Sequence, residues 1–222
     1  MIAAPEDPGH LPRAGDSSIA YRRRPGKGPT IVFLGGFKSD MSGAKAAALD
    51  AFCAARGQAF LRFDYQGHGV SGGRFEDGTI GLWTEDALTA IDALVSGPVV
   101  LVGSSMGGWI ALNVALSRPG RVAGLIGIAA APDFTEDLIW QQMEEPARMV
   151  LETEGVIYET SDYGDDPYAI TKALIDDGRR HLRLRGPIAF SGPVRLLHGQ
   201  RDPDVPWQRS LTLAEKLESE DV

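Results

Sequence analysis

The stretch PVVLVGSSMGGWIALNVAL, from Pro98 to Leu116, decides how this chain reads. Within it, Gly103-Ser104-Ser105-Met106-Gly107 places a serine between glycines, after an apolar run and before a helical one. Such a junction is a sharp strand-to-helix turn that strains the serine backbone and exposes its Oγ. The glycines two residues to either side are needed because a Cβ there would collide with the neighbouring strand and helix. The spacing predicts a nucleophile at Ser105. The pattern alone is weak, because the chain holds 27 glycines and short motifs recur by chance. Gly69-Val70-Ser71-Gly72-Gly73 matches it too, but no strand precedes that segment and no helix follows, so Ser71 reads as a loop serine.

Composition bounds the rest. With 222 residues, 43% apolar and 23% charged, the chain can bury a real core. A net charge of −8 disfavours nucleic acid or an anionic membrane as the main partner. The single Cys53 cannot form an internal disulfide and reads as a small buried hydrophobe. The opening MIAAPEDPGHLPRAGD has no apolar core of a signal peptide, and no apolar run reaches membrane-spanning length. The resulting expectation is a cytoplasmic location. Oligomeric state stays open.

Strands and helices alternate along the chain. Residues 1–17 read as a loose leader and 18–222 as one domain, with SIAYRRR as an early edge strand. TIVFL (30–34), AFLRFD (59–64), PVVLV (98–102), 122–129 and PVRLLHG (193–199) read as strands. Helices are expected over 43–56, ending at Gly57, over 82–95, and after Ser105. Short apolar runs separated by helices predict an α/β fold, a mostly parallel doubly wound sheet with helices on both faces.

The segment from Asp133 to Asp177 breaks this rhythm, with 13 acidic residues (Glu144, Glu145, Asp165 and Asp166 among them) against Arg148 and Lys172. It carries Trp140, Met143, Met149, Tyr158, Tyr163 and Tyr168, and helical stretches without a clear strand. Large apolar side chains on an excursion need something to cover, so about 133–190 reads as a helical cap over the site. The bland alternative is a solvated excursion. The basic run Arg179, Arg180, Arg183 and Arg185 reads as a face balancing that acidity, with an anion-binding role as the alternative.

From Ile31 to Leu217 the order of motifs resembles the α/β-hydrolase superfamily. LGGF (34–37) is similar to its oxyanion loop, FDYQGHGVSGG (63–73) to its GHG loop, and GSSMGGW to its nucleophile elbow. LLHGQRDPDVP (196–206) resembles the segment that carries the triad acid. FLGGFKSDMSG, GHGVSGGRFEDGTI and GSSMGGWIAL together look like the branch that includes the mitochondrial palmitoyl-protein thioesterase, which also cleaves acyl glucuronides.

The resemblance implies a serine hydrolase acting on carboxylic esters or thioesters through an acyl-enzyme on Ser105. The oxyanion needs two backbone N–H donors, expected from Met106 and from Phe37, with Gly36 the alternative to Phe37. Asp202 has the family's spacing to Val205-Pro206 and is the expected acid, while Asp204 reads as an N-cap for a helix opened by Pro206. The implied substrate is a small molecule or an acylated protein, with an acyl-protein or acyl-coenzyme thioester as the preferred class and a small carboxylic ester next. No cofactor is implied, and four scattered histidines with one cysteine offer no metal-ligand spacing.

The histidine is the difficulty, because this fold orders its triad Ser, Asp, His. The last of the four histidines, His198, precedes Asp202. Relative to the family pattern the sequence stops one strand and one helix short, which makes a fragment the first expectation. A base recruited from His68 is the second. The third is a hydrolase fold that binds a ligand or partner without turnover. A serine peptidase of the same fold is a further alternative.

Overall fold

The computed structural model describes residues 7–15, 17–161 and 164–222, with the backbone alone at 160, 161 and 164–166. Residues 1–6 and 16 of the expected leader, Tyr163, and the side chains of Asp165 and Asp166 lie outside that description. Seven strands form one sheet in the order β1 (Gly9–Pro12), β2 (Ser18–Arg24), β4 (Gln58–Phe63), β3 (Lys27–Leu34), β5 (Val99–Ser104), β6 (Val122–Ile128) and β9 (Val194–Leu197). The pairs β1–β2 and β2–β4 are antiparallel, and every later pair is parallel.

Alternation along the strands sorts the core into two faces. On β3, Val32 and Leu34 enter the larger apolar cluster, whereas Phe33 enters a second one with Phe60, Val102 and Cys53. The second cluster lies under α1 (Ala44–Arg56), whose Ala46 and Cys53 are buried. Gly57 ends that helix in the left-handed conformation. The larger cluster holds Trp83 and Ile91 of α2 (Ile80–Leu94), Trp109 and Ile110 of α3 (Met106–Ser117), and Leu213 of α6 (Gln208–Lys216). The mostly parallel sheet with helices on both faces is therefore present. No described helix is long and apolar enough to cross a membrane.

Four local expectations differ from the structure. Residues 9–12 of the expected loose leader form β1, registered on β2 from Gly9↔Tyr21 to Pro12↔Ser18. The second helix starts at Ile80 rather than 82, because Thr79 Oγ accepts the Leu82 N–H at 3.1 Å as an N-cap. Asp204 does not occupy the N-cap position of the last helix: α6 begins after Trp207, whose side chain makes no cap. The excursion does contain strands, an antiparallel hairpin of β7 (Val156–Ser161) and β8 (Gly164–Thr171), lying between α4 (Glu145–Glu154) and α5 (Lys172–Arg180). Acidic residues and Pro167 inside β8 hide that pairing from a pattern search.

Candidate active site

The parallel strands deliver their following loops to one edge of the sheet. Leu34 pairs with Gly103, Ser104 with Ile128, and Ile128 with Leu197. The turns after β3, β5, β6 and β9 thus emerge side by side at the carboxyl ends, where ligands bind in open α/β sheets. Ser105, Gly36-Phe37, Asp133 and Asp202 all stand on these turns.

Ser105 has φ 52° and ψ −119°, a conformation that L-residues rarely adopt. It is held there by its own backbone: Ser105 N–H donates to Ile128 O at 3.0 Å, and Ser105 O accepts from Gly108 N at 2.9 Å and Ala131 N at 3.0 Å. The flanking glycines are obligatory. A Cβ on Gly103 would lie 2.6 Å from Gly108 Cα, and one on Gly107 would lie 2.6 Å from Gly35 O. By contrast, Ser71 is a strut: its Oγ donates to Asp64 O at 2.6 Å and accepts Ala20 N–H at 2.8 Å. The strand-turn-helix context thus distinguishes the two serines.

The loop after β3 passes directly beside the elbow, since a Cβ on Gly36 would lie 3.5 Å from Ser105 Cβ. Gly36 O accepts the Ser39 N–H at 3.2 Å and the Ser39 hydroxyl at 2.9 Å. Phe37 N–H and Met106 N–H, the latter opening α3, have no acceptor among the described residues. The Phe37 ring packs edge-on against Phe75 (4.9 Å between centroids), Phe134 (5.7 Å), Trp83 (5.8 Å) and Tyr168 (5.8 Å). Tyr168 belongs to β8, so this ring joins the main core to the excursion. Lys38 Nζ adds a second tie by donating to Pro167 O at 3.0 Å.

Asp202 Oδ1 accepts the N–H groups of Asp204 (3.0 Å) and Val205 (2.9 Å), which fixes the carboxylate at the end of the β9 turn. Its Oδ2 lies 4.0 Å from His198 Nε2. That imidazole is already committed, with Nδ1 2.7 Å from Ser210 Oγ and Nε2 2.8 Å from Val205 O. His181 Nε2 faces Asp177 at 3.6 Å, and His10 Nδ1 faces Ser18 Oγ at 3.3 Å. His68 is buried, and burial pushes its pKa down to about 4, so it is neutral at pH 7. Its Nε2 accepts Lys38 N–H at 3.1 Å, leaving no lone pair to serve as a base.

The excursion is pinned where it leaves and rejoins the sheet. Asp133, fully buried at φ 61°, accepts Arg183 N–H at 2.7 Å and Leu184 N–H at 2.9 Å. The basic run is absorbed nearby: Arg179 pairs with Glu136 at 2.7 Å, Arg180 with Asp177 at 2.6 Å, and Arg185 with Asp137. Arg183 Nε donates to Asn113 Oδ1 at 2.6 Å. The charge balance is visible in the sequence but the Asp133 clamp is not, because an aspartate in the left-handed region has no local signature here. Among the described residues no group of three or more metal-ligating side chains gathers.

Residues 29–173 match the family model described as serine aminopeptidase, S33. The chain is 43% identical over 208 residues to the palmitoyl-protein thioesterase ABHD10, mitochondrial, of Rattus norvegicus, covering 92% of this chain and 69% of that protein. Two solved structures are similar in shape. A putative hydrolase from Agrobacterium vitis S4 has TM-score 0.91 at 42% identity, covering 97% of this chain and 86% of that one. The α/β hydrolase domain-containing protein 10 from mouse has TM-score 0.87 at 40% identity with the same coverages. The cytoplasmic location expected from composition is overturned, because the rat relative and its bovine, mouse and human counterparts are named as mitochondrial.

Proposed function

For a chain that belongs to the α/β-hydrolase family described as serine aminopeptidase S33, in the branch of the ABHD10 thioesterases, and is thereby an ester and thioester hydrolase, we propose the following site. Ser105 Oγ attacks the acyl carbonyl as its proton passes to a catalytic imidazole, and a tetrahedral intermediate forms. Phe37 N–H and Met106 N–H donate to its oxyanion. Collapse expels the alcohol or thiol, which takes that proton, and leaves an acyl-enzyme, which water cleaves by the same route. Asp202 is the acid that orients that imidazole and stabilises its protonated form. The four histidines of these 222 residues are each engaged elsewhere, so the imidazole is assigned to none of them.

The observation that carries this reading is the strained Ser105 lying against Gly36, with the Phe37 and Met106 N–H groups unengaged among the described residues. Residues of about 133–190 serve as the cap, and the contacts of Phe37 with Tyr168 and of Lys38 with Pro167 support that role. The preferred substrate is an acyl thioester, on an acylated protein or a small molecule, with a small carboxylic ester next.

Labelling with a fluorophosphonate probe and hydrolysis of an acyl thioester test the assignment. The label should map to Ser105 and vanish in Ser105→Ala. Asp202→Asn should lower the rate by about 10³–10⁴-fold, whereas Asp204→Asn should stay within a few-fold. Thioester hydrolysis surviving in Ser105→Ala, or the two aspartates exchanging their effects, would overturn it.

A further inference from the structure

The loop that carries Phe37 is held by a residue from elsewhere in the chain. Two peptide planes flank Phe37. The first, Gly36–Phe37, contains the Phe37 N–H, and its carbonyl is fixed by Ser39 through both backbone and hydroxyl. The second, Phe37–Lys38, has its N–H bound by His68 Nε2 at 3.1 Å. Lys38 sits at φ 55°, where a lysine gains nothing locally and must be held by its surroundings. We propose that His68 is a positioning residue for the oxyanion donor, its Nε2 lone pair fixing the Lys38 N–H so that the preceding Phe37 N–H faces the carbonyl attacked by Ser105.

The surroundings of His68 select the state needed for this. Nδ1 lies 3.3 Å from Gln66 O, an acceptor only, so the proton resides on Nδ1 and Nε2 presents a lone pair. The ring is boxed edge-on by Phe75 and Trp83, each at 5.1 Å, and by Tyr65 at 5.6 Å. Trp83 Nε1 donates to the same Gln66 O at 3.1 Å, so indole and imidazole share one anchor. Phe75 and Trp83 also touch the Phe37 ring, so the cage orients the donor residue on its side-chain side as well. A histidine kept only for packing would not need an unprotonated Nε2 aimed at this one N–H.

This inference rests on Phe37 being the oxyanion donor, and its test separates the two claims. The variants are His68→Phe, which fits an aromatic cage but has no acceptor, and His68→Gln, whose carbonyl can accept from Lys38 N–H. In His68→Phe the fluorophosphonate labelling rate of Ser105 should fall about ten- to a hundredfold, the scale of a misplaced oxyanion donor. Affinity for a non-cleavable alkyl ether analogue should stay within about twofold, and His68→Gln should recover most of the rate. Nitrogen NMR of labelled histidine should show the neutral Nδ1–H tautomer in the wild type. Exchange of the Lys38 amide should quicken in His68→Phe.

Equal loss in both variants with equal loss of Tm would make His68 a packing residue. Complete loss in both with Tm retained would make it the base. Either result overturns the proposal, as does an Nε2–H tautomer. If wild-type Ser105 does not label at all, the catalytic reading fails by itself. The tautomer and the Lys38 exchange rate then still decide whether His68 holds the loop.

Discussion

Replacing Asp133 with alanine removes the carboxylate that joins the exit of the excursion to its return. Two buried bonds go with it, to Arg183 N–H at 2.7 Å and Leu184 N–H at 2.9 Å. Hydrogen bonds to a charged acceptor contribute about 1.5–3 kcal/mol each, which sets a gross loss of about 3–6 kcal/mol. Burial of the carboxylate works the other way, since it raises the Asp133 pKa and costs stability at neutral pH. The φ of 61° adds to the loss for alanine but not for asparagine, which tolerates the left-handed region. Asp133→Ala should therefore cost about 3 kcal/mol or more, and Asp133→Asn, with one acceptor oxygen retained, about 1–2 kcal/mol. Urea unfolding read by tryptophan fluorescence measures both values. Hydrogen exchange should quicken at Arg183 and Leu184 before it does in β5. A wild-type unfolding midpoint for Asp133→Ala, or equal losses for the two variants, would refute the clamp.

Gly107→Ala should disable the turn at Ser105 while sparing most of the fold, because its Cβ would meet the carbonyls of Leu34 and Gly35 at the end of β3 and the start of the loop after it. The expected cost is about 1–3 kcal/mol, with Ser105 labelling lost, and labelling at the wild-type rate would contradict the close approach of the elbow to β3. Acid stability should depend on His68, whose folded pKa of about 4 lies below its ordinary 6.5. Between those values the unfolded chain binds the extra proton, so stability falls as pH drops through this window, by up to about 3 kcal/mol. Asp64, Asp86 and Asp133, raised by burial, act in the opposite sense. The difference between wild type and His68→Gln isolates the histidine, and a pH-independent difference in unfolding free energy would dismiss it.

Much of the fold is legible in the sequence because its rules are local. Short apolar runs mark β3 to β6, Gly57 marks the end of α1, and the strand-turn-helix context picks Ser105 over Ser71. Helix α3 shows why such rules have limits: Met106 to Ala115 are all buried, so the helix has no polar face to give it a period. It is readable only from the glycine-flanked turn before it. The β7–β8 hairpin escapes such a reading because its pairing depends on register, not on a clear apolar alternation. The Asp133 clamp and the His68 bond to Lys38 escape it for a different reason. Each joins residues distant in sequence, and neither partner advertises the other.

Phe37 packs with the main core and also with the cluster of Leu151, Ile170 and Ile175 beneath the hairpin. Phe37, together with Ile139, is thus shared between two parts of the molecule that could otherwise vary separately. A substitution at Tyr168 is transmitted to the Phe37 backbone through a single ring contact. Exchanging the excursion for that of a relative should therefore call for a matching change at position 37, because the hairpin and the loop after β3 are packed against each other there.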